Sequence, residues 1–196
     1  MCVRRLCTRL QACDINYENC FCCDPKSDSY CTVVENEVYH LPLHFWNYIE
    51  DIEKNVQCRF GCLQKCAPPA PKELDMLIAC APCQPYSKLA RSKKLPEEHP
   101  LHYTIFGEEG SVCSFSAKYL PHLVVSENVL GILEKKGRGL YRDHRPADKF
   151  VERMMSIVCD KGEKWFIDVE CVEADSFCFV PQGRPRLSFL VVMVLH

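Results

Sequence analysis

The residue with the most reactive setting in this sequence is Cys83, in Ala81-Pro82-Cys83-Gln84-Pro85-Tyr86-Ser87. It falls between a short apolar run, residues 74–79 (LDMLIA), and a basic stretch that reads as a loop or a helix start. A thiol there sits near backbone N–H groups and a positive dipole end, which lowers its pKa and favours the thiolate nucleophile. Lys88 and Arg91 push the same way. The same stretch also reads as redox chemistry. Cys80-Ala81-Pro82-Cys83 is a C-x-x-C with proline before the second cysteine, a pattern used by thioredoxin-like oxidoreductases. A third reading is inert: 16 of the 196 residues are cysteine, and most of them serve as small apolar core residues.

Two later segments carry further chemistry. Val124-Val125-Ser126-Glu127-Asn128-Val129 puts a carboxylate at the end of an apolar run, where partial desolvation raises its pKa and suits it to hold or donate a proton. Gln182-Gly183-Arg184-Pro185-Arg186 precedes the last apolar run, and two arginines one residue apart fall on one side of an extended chain. A guanidinium there binds a carboxylate or a planar polar ligand bidentately. The structural alternatives are a cap for Asn128 and surface ion pairs for the arginines.

The elements that must position these residues alternate. Residues 19–23 (NCFCC) read as a strand closed by Asp24-Pro25, and 74–79 as a buried strand. Residues 111–119 read as a helix, 122–125 as a second buried strand, and 147–160 as a helix with apolar residues at Phe150, Val151, Met154, Met155 and Val158. Residues 165–172 and 187–195 read as strands; 4–13 and 27–37 read as helical, and 66–71 (CAPPAP) as a loop. Strands alternating with helices predict an α/β sheet covered on both faces, with chemistry at the carboxyl ends of its strands. Asp24, Pro82-Cys83-Gln84 and Glu127-Asn128 all fall at such ends. Composition agrees: 47% hydrophobic and 26% charged residues can build a core. A formal net charge of −2 excludes a uniformly basic surface. No apolar run reaches the roughly 18 residues of a membrane span, so no membrane partner is expected. The N-terminus, with arginine and cysteine where an apolar stretch would be needed, does not read as a signal peptide.

Taken in order, the three chemical segments resemble the C5-cytosine DNA methyltransferase family, which carries P-C-Q-x-[FY]-S, E-N-V and Q-x-R-x-R in this sequence order. Here they are Pro82 to Ser87, Glu127 to Val129 and Gln182 to Arg186. Val180-Pro181 and Glu173-Ala174-Asp175 are also similar. The resemblance covers roughly residues 12–195 and is specific in the second half; a thioredoxin has no reason to hold the last two segments. It implies a Rossmann-like S-adenosylmethionine-dependent methyltransferase sheet. It also implies a mechanism in which Cys83 attacks C6 of a flipped cytosine, Glu127 holds N3 and the exocyclic amine, and Arg184 and Arg186 fix Glu127 and contact the base. C5 then takes the methyl group of S-adenosylmethionine. DNA is the implied partner, with structured RNA open to the same chemistry. Ser87, Lys88 and Arg91 are the expected nucleic-acid contacts. Lys88, Arg91, Lys93 and Lys94 follow the cysteine loop; Lys135, Lys136, Arg138, Arg142 and Arg145 follow E-N-V. Nuclear location follows only from the family.

The sequence departs from the family at its start. The family opens with a glycine-rich F-x-G-x-G loop, whereas the first glycine here is Gly61. Asp24 is the best match for the acidic residue that holds the donor's ribose hydroxyls, and Asp51 is a poor substitute for a second donor contact. The chain therefore reads as a partial catalytic domain over residues 1–196, lacking the first strand and the target-recognition region. A non-catalytic nucleic-acid-binding remnant is the alternative. Cys58-x3-Cys62-x3-Cys66 puts three thiols on one face of a helix, a permissible zinc spacing, but no metal ligand is expected.

Overall fold

A computed structural model describes residues 21–23, 43–61, 66–87, 95–157, 162, 164–173 and 185–194. The chain divides into two compact units, Met1–Pro68 and Pro69–His196. The expected helices over 4–13 and 27–37 lie outside the described residues.

In the first unit, β1 (Phe21–Cys23) pairs in parallel with β2 (His44–Trp46), Cys22 opposite Phe45. Helix α1 (Ile49–Glu53) follows. Its first turn is held by Asp51, whose Oδ2 accepts the Tyr48 N–H at 3.0 Å, satisfying a donor that the helix itself leaves open. Phe45, Trp46 and Ile52 are buried. Two bonds close the segment after α1 back onto β2: the Trp46 indole N–H donates to the Val56 carbonyl at 2.8 Å, and the Arg59 N–H to the Phe45 carbonyl at 2.7 Å.

The second unit holds a mixed four-stranded sheet in the order β3-β4-β6-β5. β3 (Met76–Ala79) and β4 (Leu123–Val129) are parallel; β6 (Pro185–Val194) runs antiparallel to both β4 and β5 (Lys164–Glu173). Between β3 and β4 lie α2 (Tyr103–Phe106) and α3 (Val112–Tyr119); α4 (Pro146–Met155) precedes β5. Alternation decides the inward face of the sheet. Val124, Ser126 and Asn128 of β4 are buried, as are Leu187, Phe189 and Val191 directly across in β6. On the other face Leu190 and Val192 are exposed.

Helix α3 starts at Ser111 because two serines satisfy each other's open donors. Ser111 Oγ accepts the Ser114 N–H at 3.0 Å, and Ser114 Oγ accepts the Ser111 N–H at 2.9 Å. Helix α4 buries Ala147, Phe150 and Met154, one helical stripe, and sets the Phe150 ring edge-on to Phe189 at 4.9 Å.

Several boundaries differ from those read in the sequence, and three of the differences have a clear physical reason or consequence. The strand over 122–125 runs on to Val129, so Glu127 and Asn128 are strand residues and not a turn after it; β6 supplies their ladder partners, Ser188 and Leu187. The helix over 147–160 ends at Met155. There the Ser156 N–H is shared between the Glu152 carbonyl at 3.0 Å and the Arg153 carbonyl at 3.2 Å, and the Ile157 N–H turns to the Met154 carbonyl, three residues back, at 3.1 Å, which tightens the last turn. The last strand begins at Pro185, two residues earlier than expected, and so includes Arg186.

Candidate active site

The Cys83 loop leaves the carboxyl end of β3. Cys80 is exposed and Cys83 half-buried. The Tyr86 and Ser87 N–H groups donate back to the Cys83 carbonyl at 3.0 and 2.9 Å, so the chain reverses directly after the thiol. Tyr86, 1% exposed, anchors the turn. Burial and the neighbouring Tyr141 push its phenol well above the ordinary range, so Tyr86 is a neutral anchor.

A glycine sets how closely this loop approaches the next strand. Gly131 lies in a 3-10 turn, Leu130–Leu133, that continues β4. A Cβ at Gly131 would overlap the Tyr86 carbonyl oxygen. Only a residue without a side chain lets the end of β4 pack on the Cys83 loop at this distance.

Glu127 is half-buried, on the face of β4 opposite Ser126 and Asn128. Asn128, 3% exposed, turns its Oδ1 to the Val129 N–H at 2.9 Å, while its Nδ2 has no hydrogen-bond partner among the described residues. The cap expected of Asn128 is thus a bond to its own strand neighbour.

Strand direction brings the three segments together. In the parallel pair Ala79 lies opposite Ser126, so the Cys83 loop leaves the sheet at the same edge at which β4, with Glu127 still in its ladder, ends. β6 enters at that same edge, because it runs antiparallel to β4 with Arg186 opposite Val129 and Ser188 opposite Glu127. Cys83, Glu127 and Arg186 therefore converge from three parts of the chain. Asp24, Lys88, Arg91 and Arg184 lie outside the described residues; Ser87, at the end of the loop, is half-buried. Asp51 is engaged at the start of α1.

Of the basic residues after β4, Lys135, Arg138 and Arg142 are exposed. Lys136 reaches the Gly131 carbonyl at 3.4 Å and Glu134 at 3.9 Å. The Arg145 guanidinium holds the Asp148 carboxylate at 2.6 Å, keeping that carboxyl below its usual range. Arg145 is thereby committed to the first turn of α4, which leaves fewer cations for a nucleic acid than the sequence count implies.

Behind the loop lies an aromatic cluster not read from the sequence. The His102 ring stacks on Phe106 at 5.1 Å and lies 6.4 Å from Tyr86, and its Nε2 hydrogen-bonds the fully buried Tyr141 hydroxyl. Burial holds the His102 imidazole below its ordinary value; the Glu97 carboxylate opposes this only in part. These residues are 86, 102, 106 and 141 in sequence, with no periodicity to link them. An open groove of about 690 Å³ beside α4, lined in part by Leu133, Val151, Met155 and Phe189, includes none of the motif residues.

The model of the C-5 cytosine-specific DNA methylase family matches residues 49–192. Among solved structures, the chain is similar to the Entamoeba histolytica methyltransferase EhMeth, with 12% identity and a TM-score of 0.50 over 88% of this chain and 44% of that one. It also matches a protein encoded within an E. coli prophage and assigned as a DNA modification methyltransferase. That match has 22% identity and a TM-score of 0.36, over 61% of this chain and 26% of the other. No curated protein matches. The chain thus spans less than half the length of either solved structure, and the Entamoeba likeness shows the methyltransferase fold. With the family match covering most of the chain, this protein belongs to the C-5 cytosine-specific DNA methylase family.

Proposed function

We propose that this chain is part of the catalytic domain of a DNA cytosine-5 methyltransferase, with Cys83 as nucleophile. One observation carries the reading: parallel pairing of β3 with β4 and antiparallel entry of β6 bring the Cys83 loop, Glu127 and Arg186 to a single edge. In a cytosine C5 is a weak nucleophile. Addition of the Cys83 thiolate to C6 makes C5 electron-rich while Glu127 hydrogen-bonds N3 and the exocyclic amine, where charge builds up. Arg186, with Arg184, orients Glu127 and contacts the base. S-adenosylmethionine, when bound, supplies the methyl group. Loss of the C5 proton to a base then lets Cys83 leave. A cytosine in a duplex cannot be attacked in this way, so the base is flipped out. Ser87, Lys88 and Arg91 hold the phosphates beside it, and the exposed Lys135, Arg138 and Arg142 extend that contact.

Support for donor binding is positional. β1 is a parallel strand ending at Cys23, and Asp24 is the next residue, where a carboxylate meets a ribose. The family match, residues 49–192, takes in residues of both units.

The test is a covalent adduct between the chain and DNA containing 5-fluorocytosine, formed with S-adenosylmethionine and resolved under denaturing conditions. Wild-type protein and Cys80→Ser are expected to form it equally, and Cys83→Ser to form none. An adduct that persists in Cys83→Ser overturns the assignment. So does equal loss in Cys80→Ser, the signature of a dithiol enzyme. Equilibrium dialysis with labelled donor, on wild type and Asp24→Ala, runs alongside. DNA binding without donor binding would favour the non-catalytic remnant.

A further inference from the structure

A second cluster of chemically capable side chains lies in the first unit, apart from the motifs. His44 begins β2, Cys58 ends the segment that follows α1, and Cys66 stands near the end of the unit. One imidazole nitrogen and the two sulfurs all lie within 4.8 Å of one another. Cys58 is 3% exposed and Cys66 1%, both as thiols; His44 is half-buried at their rim.

We propose that His44, Cys58 and Cys66 form a zinc-binding site. The spacing fits a tetrahedral ion. Zn–S bonds of about 2.3 Å and a Zn–N bond of about 2.0–2.1 Å place the sulfurs about 3.8 Å apart and each sulfur about 3.5 Å from the nitrogen. Closing the cluster onto an ion therefore shortens each donor separation by at most about 1.3 Å. The donor set selects the metal class: two thiolates and an imidazole suit zinc and exclude magnesium or calcium, which need oxygen ligands. The balance is simple. Each thiol gives up one proton as its sulfur takes a coordinate bond, so Zn²⁺ enters and two protons leave. Three protein ligands leave a fourth position, on the accessible His44 side.

Hydrogen bonds hold two of the donor segments, those of His44 and Cys58, against each other. The Arg59 N–H bond to the Phe45 carbonyl, at 2.7 Å, ties the neighbour of Cys58 to the neighbour of His44. The Trp46 indole bond to Val56 does the same, two residues after His44 and two before Cys58. The chain reverses after Cys58, with the Gly61 N–H on the Cys58 carbonyl at 3.0 Å and Gly61 at φ +68°. This differs from three thiols on one helical face. Residues 58–61 form a turn, Cys62 lies outside the described residues, and the third donor is a histidine that the cysteine spacing does not reveal.

The site is tested by metal content, a readout independent of methyl transfer. Full-length chain is stripped with chelator under reductant, titrated with zinc, desalted and analysed for bound metal. About one equivalent is expected. Cys58→Ser and Cys66→Ser should each lose it. Either buried substitution can also unfold the unit, so His44→Gln serves as the second variant, on a half-exposed position. It should keep its far-ultraviolet circular dichroism and bind zinc at least about 10-fold more weakly, since even outer-shell changes at zinc sites cost about 10–100-fold. Cobalt in place of zinc should show thiolate-to-metal charge-transfer absorption that Cys58→Ser abolishes. Less than a tenth of an equivalent on wild type overturns the proposal. So does zinc retained at wild-type stoichiometry and affinity by all three variants, which would place it on other cysteines.

Discussion

Cysteine richness by itself says little about reactivity; environment sorts the thiols. Cys80 is exposed, Cys83 half-buried and Cys113 buried. Burial pushes the Cys113 thiol up to about 12, with Arg153 opposing weakly. At pH 8 Cys113 is therefore almost wholly protonated and enclosed, and iodoacetamide should leave it untouched in folded protein while Cys80 reacts. Peptide mapping by mass spectrometry before and after denaturation checks this; labelling of Cys113 as fast as Cys80 in the native state would contradict its burial. The sequence showed which residues to watch, because P-C-Q-P-Y-S, E-N-V and Q-G-R-P-R are local strings. Their environments were not legible there. Nothing near position 113 announces a thiol on the buried face of α3, and no short string of residues contains both His44 and Cys66. Such neighbours meet only through long-range pairing.

At the scale of elements, strand pairing did what local pattern could not foretell. The apolar runs at 74–79 and 187–195 were readable from hydrophobicity and β-branching, and the structure places β3 and β6 there within two or three residues. The helix over 111–119 was readable too, though its serine cap was not. The polar residues Ser126, Glu127 and Asn128 masked the second half of β4, since their type says turn and only the β6 ladder makes them strand. Gly131 was not legible as a packing residue, because the contact it permits is with a backbone 45 positions earlier. Gly131→Ala should drive the turn after β4 and the Cys83 loop apart. Overpacking of this kind costs about 1–3 kcal/mol, read as a lower thermal midpoint. Adduct formation on 5-fluorocytosine DNA should fall further than stability does. A variant as stable and as reactive as wild type would mean the two segments need no close approach.

For the whole molecule, acid stability should report the aromatic cluster behind the loop. The His102 imidazole is held below its ordinary value of about 6.5 in the folded chain, mainly by burial. Between the folded and unfolded values the unfolded chain binds more protons, so stability rises with pH through that window. The contribution is fully present above about pH 6.5 and is lost as pH falls toward the folded value. Thermal midpoints between pH 7.5 and 5.5 should therefore decline more steeply for wild type than for His102→Gln; parallel slopes would dismiss the role. The depressed carboxyls of Asp148 and Glu152 belong to a lower window, below about pH 4.5, and do not confuse the comparison.

The place of β6 has a further consequence, for how the fold is reached. Although last in sequence among the described strands, it sits inside the sheet, and it is β5's partner there. A growing chain that has emerged only as far as residue 173 has β4 with an open edge and β5 with nothing to pair against. Arg186, opposite Val129, arrives with the strand that closes the gap. Because that pairing joins residues about 60 positions apart, loop-closure entropy must be met before the sheet gains its centre. Cys83 and Glu127 therefore exist as neighbours before synthesis delivers the arginine, and an interrupted chain offers an unpaired β4 edge to other strands. Completion of the motif-bearing end of the sheet and protection from aggregation become one late event, the insertion of β6.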